Sequence, residues 1–89
     1  MTVVGGSTGV PADAEAVVLN VTGVFPSQAT HLTVWPAGVA RPLASNVNLV
    51  PGDVRPNLVL VRVGAGGAAS IFNNSGAIDV VADVVGYVR

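Results

Sequence analysis

The sequence predicts an all-β domain: an antiparallel, jelly-roll-like β-sandwich of about seven strands, with a small barrel as the alternative. Apolar residues alternate with a period of two, and valine dominates them. Glu, Lys, Gln and Met, the common helix formers, are nearly missing. Clusters of Gly, Pro, Asn and Ser bound the extended segments. At 89 residues the chain forms one small domain, residues 1–89.

Seven extended segments are separated by residues that favour turns. Pro51-Gly-Asp53, Gly64 to Gly67 and Asn73 to Gly76 have the composition of tight turns. Proline at 36, 42 and 56 marks strand ends or edges, because it cannot donate a hydrogen bond to a ladder. In chain order the segments are residues 2–4, 14–24, 31–36, 46–50, 58–63, 69–73 and 78–88.

Two segments are apolar on both faces. In residues 58–63, Leu58 and Leu60 oppose the valines that we expect in the core. A strand buried on one side only should instead show polar residues on its outer face. We therefore expect loops, another subunit or another domain to cover these strands. In residues 78–88 one predicted face holds Ile78, Val80, Ala82 and Val84, and the other holds Asp79, Val81, Asp83, Val85 and Tyr87.

Composition excludes several classes of partner. Only 10% of the residues are charged, the net charge is −1, lysine is absent, and the four arginines are scattered. There is thus no basic patch for nucleic acid or anionic lipid. No apolar run approaches the roughly 20 residues that span a bilayer. Since there is no cysteine, disulfides and thiol chemistry are also excluded.

The residues of a catalytic site are lacking, and we predict that the protein is not an enzyme and needs no cofactor. His31 is the only histidine and Tyr87 the only tyrosine, and neither lies in a nucleophile motif. Gly64 to Gly67 lies between two predicted strands rather than before a helix, so it is a turn and not a phosphate loop.

Asp79 and Asp83 are the only weak candidates for a metal site. Four residues apart on a strand, they lie about 13 Å from each other, too far for a shared proton. As Ca²⁺ ligands they would need loop oxygens between them, from asparagine or backbone carbonyls. We expect no metal, and instead expect each carboxylate to pair with an arginine, Arg62 or Arg55, or to cap a turn.

His31, Thr33 and Trp35 share the predicted outer face of the third segment and are the candidate ligand-binding residues. A tryptophan on a polar strand face can stack on a sugar ring or anchor a protein contact. It can also simply pack beneath the proline-rich segment 37–42. All three interpretations remain open at the level of sequence.

Four asparagines lie in or beside predicted strands, where asparagine is depleted. A buried amide is costly when unpaired and specific when paired. We therefore predict that they are structural amides that bond loop backbone at strand ends, with ligand contact as the alternative. These residues are Asn20, Asn46, Asn48 and Asn57.

An ordered set of motifs spans nearly the whole chain: GVPADAEAVVLNVT (9–22), LTVWPAG (32–38), RPLASNVNLVPG (41–52), NLVLVRVG (57–64) and VVADVVGYV (80–88). The set resembles the accessory β-modules appended to secreted and cell-surface proteins, chiefly actinobacterial ones. The resemblance implies a non-catalytic module outside the cell or on its surface, with any secretion signal beyond these residues. It also implies that an N-terminal segment of the full module, containing Asp-Thr-Arg, is missing here.

Together these observations predict a structural or assembly module that self-associates, as a dimer or trimer, or packs against adjacent domains. A lectin-like module that binds cell-surface polysaccharide is the alternative, with a glycan as its partner. Nucleic acid and membrane insertion are not expected.

Overall fold

The computed structural model describes all residues, 1–89, and contains six strands and two single turns of 3-10 helix, Gly6–Thr8 and Ala65–Gly67. No helix here is long and apolar enough to reach across a bilayer. The strands are β1 (Ala16–Val24), β2 (Thr30–Pro36), β3 (Val47–Leu49), β4 (Val54–Arg62), β5 (Ala69–Asn73) and β6 (Asp79–Val88).

The strands form two antiparallel sheets of three, in the orders β4-β1-β6 and β3-β2-β5. The chain is all-β, and its two sheets do not close into a barrel. The chain passes from β3 in one sheet to β4 in the other through the predicted turn, in which Pro51 is followed by Gly52 at φ 88°. This is the positive φ that a type II turn requires after proline.

The core lies between the two sheets, and the period of two decides which residues enter it. On β1 every second residue from Val17 to Val21 is fully buried, because that strand lies in the middle of its sheet. The opposite sheet contributes Leu32 and Val34 from β2. The residues of the core cluster are Val3, Val10, Ala14, Val17, Leu19, Val21, Leu32, Val34, Val47, Leu49, Val59, Val61 and Ala69.

Two predicted segments differ from the structure. Residues 2–4 form no strand, so there are six strands rather than seven, and only an isolated bridge joins Thr2 to Ala68. The segment ends there because Gly5 and Gly6 both adopt positive φ and turn the chain. β4 begins at Val54 and runs through Pro56. An edge strand tolerates this proline, since one side of β4 has no partner strand.

A β-bulge in β6 changes one predicted face. Val18 pairs with Gly86 while Leu19 pairs with Val84, so Val85 is the extra residue. Beyond the bulge Tyr87 lies opposite Val17, on the inner side of the sheet, and not with the outer residues as the simple alternation predicted.

Candidate functional site: the outer faces of the two sheets

The outer face of the β3-β2-β5 sheet carries His31, Thr33 and Trp35. Thr33 is outward by register, opposite Phe72, yet only 1% of it is exposed. The segment after β2 folds back over this face, and the Thr33 hydroxyl donates a hydrogen bond of 2.6 Å to the carbonyl of Ala44. A loop, rather than a partner, therefore covers this part of the sheet.

Trp35 is held by the same covering segment. Its indole N–H donates a hydrogen bond of 2.8 Å to the carbonyl of Val39, within the segment 37–42. Next to it, the guanidinium carbon of Arg41 lies 3.6 Å from the centroid of the Phe72 ring, a cation–π contact. Trp35 thus has a structural partner in its own chain and only partial exposure.

A shallow pocket of about 360 Å³ opens beside this segment. It brings His31 and Thr33 together with Arg41, Phe72 and Asn74, but Trp35 does not line it. Imidazole, guanidinium and amide groups beside an aromatic ring can bind a small polar ligand. Arg41, Phe72 and Asn74 carry no signal in the sequence, because they come from the loop, from β5 and from the residue after it, and converge only when β5 pairs with β2.

Two of the four predicted structural asparagines make backbone hydrogen bonds. The side-chain oxygen of Asn46 accepts a 2.7 Å hydrogen bond from the backbone N–H of Val34, and its own backbone N–H donates to Leu32. The side-chain amide of Asn57 donates to the carbonyl of Asn46 and so connects β4 to the start of β3. Asn20 and Asn48 make no side-chain hydrogen bond within the chain, so the structural interpretation does not hold for them.

We expect Asn46→Ala to lower the free energy of unfolding by about 1–3 kcal/mol, because it leaves the N–H of buried Val34 without a partner. Urea unfolding followed by circular dichroism measures this change. Asn48→Ala is the matched control, since Asn48 is exposed and its side chain makes no hydrogen bond. Equal effects of the two substitutions would contradict a specific role for Asn46.

Asn73 is a further structural amide, at the junction of the predicted segment 69–73 and the predicted turn Asn73 to Gly76. The Thr30 hydroxyl donates a 2.7 Å hydrogen bond to the Asn73 side-chain oxygen and accepts one of 2.9 Å from the backbone N–H of Ser75. The Asn73 amide donates to the carbonyl of Gly76. These bonds join the β5–β6 turn to the start of β2, and the Asn73-Asn-Ser-Gly76 turn motif was their only signal in the sequence.

The predicted pairing of Asp79 and Asp83 with arginines is wrong. Arg55 pairs with Asp53 at 3.5 Å, and Arg62 makes no ion pair. Both aspartates are exposed on β6, and β1 separates them from the β4 arginines. No group of three or more His, Asp or Glu side chains is arranged to hold a metal ion.

The outer face of the β4-β1-β6 sheet has no covering segment and is largely apolar. We call it the open face: Val18 of β1, Leu58 and Leu60 of β4, and Val81, Val85 and Val88 of β6. Leu58 and Leu60 are 63% and 67% exposed. They lie opposite Asn20 and Val18 of β1, and Val81 of β6 lies opposite Thr22. The apolar side chains therefore share this face with Asn20, Thr22 and Asp83. The sequence predicted that segments 58–63 and 78–88 are apolar on both faces, and the open face holds the outward apolar residues of these two segments.

A second apolar depression lies between β5 and β6, where the two sheets do not meet. It has a volume of about 570 Å³, and Leu32 of the core contributes to its wall. Ile71, Ile78 and Ala82 are half-buried along it. The two sheets are therefore not closed along the edge between β5 and β6, and the outer face of the β4-β1-β6 sheet is also uncovered.

No protein-family model, curated protein or solved structure matches this chain.

Proposed function

We propose that this chain is a non-catalytic structural or assembly module that associates through the open face, with a second copy of itself or with a neighbouring domain. The observation that carries the proposal is the exposure of four large apolar side chains on this one face, Leu58, Leu60, Val81 and Val85, which are all more than half exposed. Large exposed apolar patches with polar residues around them mark interaction surfaces on soluble domains.

A strand facing water on one side is well served by threonine or charged residues there, as Thr22 illustrates on β1. Leu58 and Leu60 are 63% and 67% exposed, so most of the stabilisation of about 1.5–3 kcal/mol that a fully buried leucine gives is not realised within one copy. For a domain with a small core, covering this face also adds to a thin stability margin.

We propose that the module acts outside the cell or at the cell surface. The motifs of the chain resemble those of accessory modules of secreted and cell-surface proteins, and a jelly-roll-like sandwich with a neutral surface fits such a module. Polar uncharged residues in place of ions suit a domain that packs against other domains and does not bind nucleic acid or lipid.

We expect a dimer or trimer whose mass depends on concentration, measured by light scattering over roughly a hundredfold range. Leu60→Lys should shift the protein toward the monomer, because it places a charge in the apolar patch. Leu43→Lys is the control, since Leu43 is fully exposed on the covering loop of the other sheet. A monomer at every concentration would contradict self-association.

A carbohydrate-binding role is the second candidate, and the pocket beside His31 favours it. His31, Arg41 and Asn74 offer hydrogen-bonding groups next to the Phe72 ring. Retention on immobilised polysaccharide that His31→Ala abolishes, without a change in mass or stability, would support this role. Trp35→Ala should then act through the covering loop, since Trp35 does not line the pocket.

A further inference from the structure

We propose that the partner of the open face is a second copy of this chain, packed face to face about a twofold axis so that Arg62 of each copy pairs with Asp83 of the other. This inference rests on the proposed function and specifies its partner and geometry. Two exposed charges point to the same outward side of the sheet as the open face, Arg62 and Asp83, and neither has an ion-pair partner within the chain.

The register of the sheet relates these two charges. Arg62 lies on β4 opposite Ala16, and Asp83 lies on β6 opposite Asn20, with β1 between them. With strands about 4.8 Å apart and a rise of about 3.4 Å per residue, their Cα atoms are about 17 Å apart. They cannot pair within one copy. Glu15 lies in the same shallow depression as Arg62 but makes no ion pair with it.

The midpoint between Arg62 and Asp83 falls on Val18, in the middle of the open face. Consider a twofold axis that lies in the plane of the interface, passes over Val18 and is perpendicular to the line from Arg62 to Asp83. This axis exchanges the two positions. It places Arg62 of one copy over Asp83 of the other, and the same contact recurs on the other side of the axis. Such an isologous interface satisfies both charges and closes as a dimer.

The apolar residues of the open face fit this arrangement. Val18 meets Val18 of the second copy at the axis, and Leu58 and Leu60 of both copies lie around it. Sheets packed face to face are about 10 Å apart, a gap that an arginine and an aspartate side chain together can span. Since the axis crosses the strands obliquely, the strands of the two copies cross at roughly 70°, close to orthogonal sheet packing.

Charge reversal tests the pairing. Arg62→Asp and Asp83→Arg should each weaken the dimer at least about tenfold, because each converts two attractive contacts into two repulsive ones. The double variant Arg62→Asp/Asp83→Arg should recover the wild-type dissociation constant to within about threefold. Sedimentation equilibrium gives the constants, and thermal unfolding of each variant shows whether it folds.

Asp79→Arg is the matched control, with the same substitution on the same strand. Asp79 lies at the far end of β6, opposite Val24, and outside the overlap of the two copies. Its dissociation constant should change by less than about threefold. An equal effect of Asp79→Arg and Asp83→Arg would show a general charge effect and overturn the specific pair.

The outcomes separate the two proposals. If the wild type self-associates and Leu60→Lys disrupts it, but neither charge reversal weakens it, the Arg62–Asp83 geometry is wrong and the assembly function stands. If both single variants weaken the dimer and the double variant does not recover the wild-type dissociation constant, the pairing is also overturned. If the wild type is a monomer throughout, self-association fails and the twofold dimer fails with it.

Discussion

Leu19→Ala is expected to lower the free energy of unfolding by about 3–5 kcal/mol, a large part of the stability of a domain this small. Leu19 is fully buried in the middle of β1, between Val59 of β4 and Val84 of β6. It packs in the core between the two sheets. The loss combines the transfer of the missing methyl and methylene groups with a cavity that neighbouring strands cannot close, because their ladders hold them in place.

Chemical denaturation at one fixed protein concentration measures this loss, since self-association would otherwise add to the apparent stability. Leu43→Ala is the control with the same chemistry on a fully exposed side chain, and it should change the free energy of unfolding by less than about 0.5 kcal/mol. A loss below about 1 kcal/mol for Leu19→Ala would mean that the core is not centred on β1.

Gly64→Ala is expected to destabilise the fold by about 2–4 kcal/mol through backbone overlap rather than through lost contacts. A Cβ at this position would overlap the backbone nitrogen and oxygen of Ala37 and lie 2.7 Å from the carbonyl carbon of Pro36. Neither obstacle is a flexible side chain. The hydrogen bond of 2.8 Å from Ala65 to the carbonyl of Ala37 joins the same two segments, so the overlap strains the junction after β4.

Gly86→Ala provides the control. Gly86 lies in β6 beside the bulge, and a Cβ there would meet only the Cβ of Val18 at 4.0 Å, an ordinary contact. We expect a change of less than about 1 kcal/mol in the free energy of unfolding. If both glycine variants were equally stable, the chain after β4 would not approach Ala37 as closely as the structure shows.

The inner faces of the strands followed from sequence alternation alone. Val17, Leu19 and Val21 on β1, and Val59 and Val61 on β4, are buried as the period of two predicted. The pattern identifies these faces because a pleated strand can present only every second side chain to one core. Leu58 and Leu60 were equally visible as an anomaly, and they are the exposed residues of the open face.

The outer faces and the candidate site could be predicted only in part. Thr33 lies on the outward face by alternation and is nevertheless buried, because the carbonyl of Ala44, eleven residues further along the chain, accepts a hydrogen bond from it. Asn46 and Asn48 look alike in sequence, yet only the Asn46 side chain reaches a backbone N–H of the neighbouring strand. Arg41, Phe72 and Asn74 carried no signal, since their convergence depends on strand pairing and loop path.

The sequence by itself determined the all-β class, the turns at Pro51-Gly52 and Gly64 to Gly67, and the core faces, because all of these depend on local backbone preference and on a period of two. Only the tertiary structure decided which outer face a loop covers and which stays open. It also decided that a bulge in β6 moves Tyr87 to the inner side, and that Arg62 and Asp83 lie on opposite sides of Val18. Those features depend on pairing between residues far apart in the chain, which no local pattern specifies.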